Sequence, residues 1–142
     1  LTCPHRSASE NRDTLLQEFK LWLQSANTSP DITSFLITGL RSWFLDPFGN
    51  EPLHETDDAS TFVSLSTQLD IGWFALLCGY VTKSLIQCQH SFYKSIESRK
   101  HGTSWGRQLS TKLWNLTHSI WMHRNSILHE TFDGTFIFCI NI

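Results

Sequence analysis

Nothing in this 142-residue chain is long and apolar enough to cross a bilayer. Its longest uncharged apolar runs, 71–80 and 136–142, fall far short of the roughly 20 residues a spanning helix needs. No charged-then-apolar leader precedes a small-residue cleavage site. No membrane partner is therefore expected. Cysteine is also sparse: Cys3, Cys78, Cys88 and Cys139 are scattered with no Cys-x-x-Cys pair, which argues against a disulfide framework and a complete zinc knuckle. The simplest expectation is a reduced, intracellular chain, cytoplasmic or nuclear, with no metal and no cofactor. Two glycosylation triplets, at Asn27 and Asn115, carry no weight without a secretory signal. The seven glycines are too few for a phosphate-cradling loop or a nucleophile elbow. Methionine occurs once, at Met122, and the chain starts at Leu1, so a piece of a longer reading frame is expected. The remainder of that chain is then a candidate partner.

What is abundant is aromatic and apolar: six Trp and ten Phe belong to a chain long enough to bury a core as one domain. The net charge of −2 hides a division. Residues 1–81 carry ten acidic and four basic side chains, whereas 82–129 carry one acidic and seven basic, with five of the seven histidines from His90 to His129. Such a split has two readings: a cationic face for nucleic acid, or two halves that neutralise each other on folding.

Periodicity gives an all-α fold, a single irregular bundle of five to six helices over 1–130, with a tail at 131–142. A first helix is expected to start at Asp13-Thr14, with Leu15, Phe19, Trp22 and Ala26 as its stripe beside Leu16 and Leu23. Ser29-Pro30-Asp31 starts the second, since proline suits the first helical position and an acid suits the positive end of the helix dipole. Its stripe is Ile32, Leu36, Leu40 and Trp43. From 46 to 60, Pro, Gly, Asn and acidic residues read as a flexible loop. Ser60 or Thr61 is expected to cap a third helix through Leu69. The run 71–80 is apolar on every side and is expected to be a buried fourth. Thr82 caps a fifth, with Leu85, Gln89, Phe92 and Ile96 on one face, ending in the basic stretch before Gly102.

The last helix begins at Thr103-Ser104 and meets no breaker before Asp133-Gly134. Leu109, Leu113, Leu116, Ile120, His123 and Ile127 make one stripe, and Trp114, Trp121 and Leu128 a second line spaced by seven. Together they cover about half the circumference at about 100° per residue, so this helix is expected to pack against two or more others and to bury Trp114 and Trp121. The tail after Asp133-Gly134 has strand-forming residues; an edge strand, a frayed or disordered tail and out-of-context translation all stay open.

The residues with chemical reach lie in the basic half. Arg124-Asn125-Ser126-Ile127-Leu128-His129 resembles the Arg-Asn-x-x-x-His motif of the HEPN family, helical bundles that include metal-independent ribonucleases. The resemblance implies that Arg124 stabilises phosphate charge, His129 acts as general acid or base, and Asn125 orients them. On an unbroken helix, however, residues five apart point about 140° away from each other. The two share a site only if the helix breaks or two subunits contribute. Cys3-Pro4-His5 and Cys88-Gln89-His90 each place a thiol and an imidazole two residues apart, but a helix does not turn such neighbours the same way. A core-edge thiol and a solvent-facing histidine describe Cys88 and His90 better. Glu55, Asp57 and Asp58 are what helix capping already favours. That leaves Arg99, Lys100, Arg107 and Lys112 as candidate contacts to RNA or DNA.

A wider resemblance runs through Cys3-Pro4-His5, Ser29-Pro30-Asp31 with Trp43, Leu69-Asp70-Ile71-Gly72-Trp73, Trp105-Gly106-Arg107, Lys112-Leu113-Trp114 and Trp121-Met122-His123-Arg124-Asn125 with Leu128-His129-Glu130. In this order the chain is similar to the region downstream of the polymerase in some retrotransposon reverse-transcriptase reading frames. Arg6 stands where that segment's opening knuckle has its second cysteine. The resemblance implies a non-enzymatic helical accessory module of a mobile-element protein, making weak nucleic-acid or protein contacts. The alternative is an HEPN-like ribonuclease.

Overall fold

The computed structural model describes residues 6–49 and 55–130. Five α-helices follow one another, α1 Arg6–Ser25, α2 Pro30–Leu45, α3 Ala59–Leu77, α4 Lys83–Ser95 and α5 Gly102–Glu130, with no strand among the described residues. The protein is an all-α bundle, and the tail at 131–142 lies outside the described residues.

Local chemistry accounts for the starts of α2, α3 and α4. Pro30 opens α2 behind Ser29, as its sequence predicts, but the Ser29 hydroxyl makes no capping bond. The Thr82 hydroxyl accepts from the Leu85 N–H and starts α4. At α3 the cap is Asp58 rather than Ser60 or Thr61: its carboxylate accepts from the Thr61 N–H at 2.7 Å and from the Thr61 hydroxyl. These bonds hold its pKa below the usual aspartate value. The first helix starts at Arg6, earlier than expected, because its inward side continues back from Leu16 through Arg12 to Ala8. An exposed Arg6–Glu10 pair adds little to that extra turn.

The expected third and fourth helices are one element with a kink at Gly72, where φ is +84° and ψ 160°, a backbone state that glycine alone reaches without strain. The kink turns Trp73 inward onto Phe35, with ring centroids 5.1 Å apart, and onto Gly39, where there is no room for a Cβ. It turns Ile71 and Phe74 outward, Phe74 being 72% exposed. The run 71–80 is therefore not buried on every side, as its composition implies. Apolar content alone cannot say which part of a bent helix has a neighbour.

One core joins all five helices. Leu16, Phe19 and Leu23 of α1 meet Ile32, Leu36 and Leu40 of α2, Leu65, Leu76 and Leu77 of α3, Leu85 and Tyr93 of α4, and Leu109, Leu113 and Leu116 of α5. α5 packs against α1, α3 and α4, the several partners its wide stripe requires. Polar side chains pin the α1–α2 turn onto this core. Gln89, fully buried, accepts from the Ser29 N–H at 2.9 Å and donates to the Asn27 carbonyl at 3.1 Å. The Tyr93 hydroxyl donates to the Ala26 carbonyl at 2.6 Å, and the Trp105 indole N–H to the Thr28 hydroxyl at 3.0 Å. Burial pushes the Tyr93 hydroxyl pKa up, which keeps it a donor. Gln68 clamps the α3–α4 turn in the same way, between the Tyr80 carbonyl and the Thr82 N–H.

Candidate nucleic-acid interface

The four basic candidates do not form one patch. Arg99 and Lys100 lie in the α4–α5 connection, and the Lys100 ammonium donates to the Ser25 carbonyl at 3.1 Å, capping the end of α1. That is the end of a helix where a cation is favoured. Lys112 faces α1 as well: its Nζ stands 5.8 Å from the Trp22 ring centroid, a cation–π contact in a cleft shared with Glu18. Arg107 is five residues before Lys112, so it points about 140° away from it. It is exposed on the opposite side of α5. Lys100 and Lys112 thus serve the α1 seam, and Arg99 and Arg107 are left facing solvent.

Arg107 has company that sequence reasoning assigned to the core. Trp114 is 57% exposed and Trp121 49% exposed. Both expectations of burial are corrected, and the reason is the path of α3. The buried arc of α5 is centred on Leu109, Leu113, Leu116 and Ile120. Ser110 and Thr117, about 70–90° round from the middle of that arc, donate to the Gly79 and Leu77 carbonyls at 2.8 and 3.2 Å. α3 therefore runs beside the tryptophan line without covering it. Arg107, Trp114 and Trp121 are spaced by seven and drift only about 20° per step, so they share one outward line. His118 stands between the two tryptophans, its ring centroid 6.2 Å from that of Trp121. From Gly102 to His129 the helix carries no acidic side chain, and the adjoining α3 contributes one acid, Asp70.

No family model, curated protein or solved structure matches this chain. The site therefore stands on its own geometry.

The Arg124, Asn125 and His129 constellation lies on α5 where the helix is unbroken. Arg124 and Asn125 are half-buried and His129 is exposed. Within one chain the arginine and the histidine thus point about 140° apart. For metals, the described residues contain no group of three or more His, Cys, Asp or Glu able to hold an ion, and Cys3 and His5 lie outside them. The Cys88 Sγ is 3.6 Å from the Thr61 hydroxyl. His90 is half-buried rather than solvent-facing: its Nδ1 accepts from the Gly102 N–H at 3.2 Å, and its ring lies 4.3 Å from that of His101. Burial first, then His101 and Lys94, lower its pKa. Of the acidic cluster, Asp58 is the α3 cap, and the Thr56 hydroxyl donates to the Asp31 carboxylate to tie the loop to α2. No described helix is long and apolar enough to cross a membrane. The clefts beside Trp22 and beside Trp105 enclose about 160 and 150 Å³, smaller than the few hundred Å³ of a drug-sized site.

Proposed function

We propose that the chain is a non-enzymatic helical interaction module that contacts nucleic acid through α5, in the setting of a mobile-element protein. The observation that carries this reading is a pair of half-exposed tryptophans, Trp114 and Trp121, in line with Arg107 on a helix without acidic side chains before Glu130. Aromatic faces and cations side by side are what bases and phosphates bind. The similarity of residues 3–130 to the segment downstream of a retrotransposon polymerase supplies the setting, a chain that works next to a template. Intracellular location follows from the same proposal.

The test is the fluorescence anisotropy of a labelled oligonucleotide at rising salt. Affinity is expected to fall steadily from about 50 to 200 mM salt, and Arg107→Ala is expected to flatten that slope by about one unit. Affinity indifferent to salt would sink the reading. The ribonuclease alternative makes a separate demand: RNA incubated with wild type, but not with His129→Ala, would be cleaved. Intact RNA in both is the expected result.

A further inference from the structure

Resting on that reading, we infer that the outward line of α5 binds unpaired nucleic acid, with bases stacked on Trp114 and Trp121, and rejects duplex. Three features point this way. About half of each tryptophan's surface is open, enough to offer an indole to a flat partner. A base inside a duplex is stacked on both sides already and has no free face to give, whereas an unpaired base can splay onto an aromatic ring.

The second feature is spacing. Seven residues on a helix advance about 10.5 Å, close to three steps of about 3.4 Å along a stacked strand. Trp114 and Trp121 are thus placed to meet two bases of one short segment. Arg107, one further seven-residue step toward the helix start, reaches the phosphates next to it.

The third feature is charge. With Lys100 on the Ser25 carbonyl and Lys112 over Trp22, few cations remain on this face. Duplex binding by charge alone draws its affinity from many phosphate contacts, and one arginine, Arg107, is too small a set. Stacking must supply the rest. Side chains that read base edges in a groove are chiefly Arg, Lys, Asn and Gln, and this line offers one of them, Arg107, against two tryptophans.

The experiment compares labelled oligo(U), oligo(dT) and a blunt hairpin whose loop is a non-nucleotide linker, so that every base is paired, all of equal phosphate number and at low salt. Both single strands are expected to bind at least about tenfold more tightly than the hairpin. Trp114→Ala and Trp121→Ala should each weaken single-strand binding by roughly 5- to 150-fold and leave the hairpin unaffected. Trp114→Phe, which keeps a ring, should retain most of the affinity. Both positions are half-exposed, so each variant is expected to keep the fold, which a thermal melt of each checks. Oligo(dT) should bind within about threefold of oligo(U), because a stacked indole does not read the sugar; a much larger gap would overturn stacking as the main contact. A hairpin bound as tightly as the single strands, or alanine variants that bind like wild type, would overturn this inference while leaving the electrostatic reading intact. No binding to any of the three would remove both.

Discussion

Gln89 is the side chain on which the α1–α2 turn depends most, and replacing it isolates that dependence. Gln89→Met keeps the length and approximate volume of the side chain and removes both polar ends. The Ser29 N–H, now 2.9 Å from Oε1, and the Asn27 carbonyl, now 3.1 Å from Nε2, would be left without their buried partner. Stranding a buried polar group costs about 1–3 kcal/mol. Relief from desolvating the side-chain amide offsets part of this, so a net loss of about 2–4 kcal/mol is expected. For a domain of this size each kcal/mol moves the melting temperature by roughly 3–5 °C, which puts the variant about 6–20 °C below wild type. Gln87→Met is the control: the same change on the same helix, at an exposed position, where less than about 0.5 kcal/mol is expected. Urea and thermal unfolding of the two variants give the comparison directly. If both lie within about 0.5 kcal/mol of wild type, the buried clamp does not hold the turn and the account of the core is wrong.

Other perturbations follow from the same geometry. His90 accepts from the Gly102 N–H through Nδ1, and its pKa is lowered from 6.5, so the folded state binds this proton less readily than the unfolded one. The stability it contributes is present above pH 6.5 and lost as pH falls through its lower folded value. An NMR titration placing His90 at or above 6.5 would refute this. Gly39→Ala would push a methyl into the Trp73 indole and is expected to cost about 1–3 kcal/mol by chemical denaturation. The penalty should shrink in a Trp73→Leu background, because the clash and its partner disappear together; an undiminished penalty would show that Gly39 matters for another reason.

Several helix ends were legible in the sequence because they depend on neighbouring residues: Ser29-Pro30 and Thr82 act over one turn. The break in α3 was legible too, although placed at Asp70 instead of Gly72, since a lone glycine signals backbone freedom without saying which angles it takes. Gln89 had a signal that went unread. An uncharged polar residue in line with Leu85 and Phe92 enters the core only with its hydrogen bonds arranged, and those partners, Asn27 and Ser29, lie some sixty residues away.

The sequence by itself determined an all-α chain, the apolar arc of α5 and the concentration of basic residues after residue 82. These are properties of composition and period, which are one-dimensional. Only the tertiary structure decided which part of that arc is covered. Periodicity placed Trp114 and Trp121 within the apolar half-circumference, but the bonds from Ser110 and Thr117 to the Gly79 and Leu77 carbonyls set α3 beside them and left them open. The same holds for charge. Counting gave Lys100, Arg107 and Lys112 equal standing, and the placement of α1 drew Lys100 and Lys112 into its seam and left Arg107 beside the tryptophans. A side chain's availability depends on what another helix does across the bundle, and no local spacing encodes that.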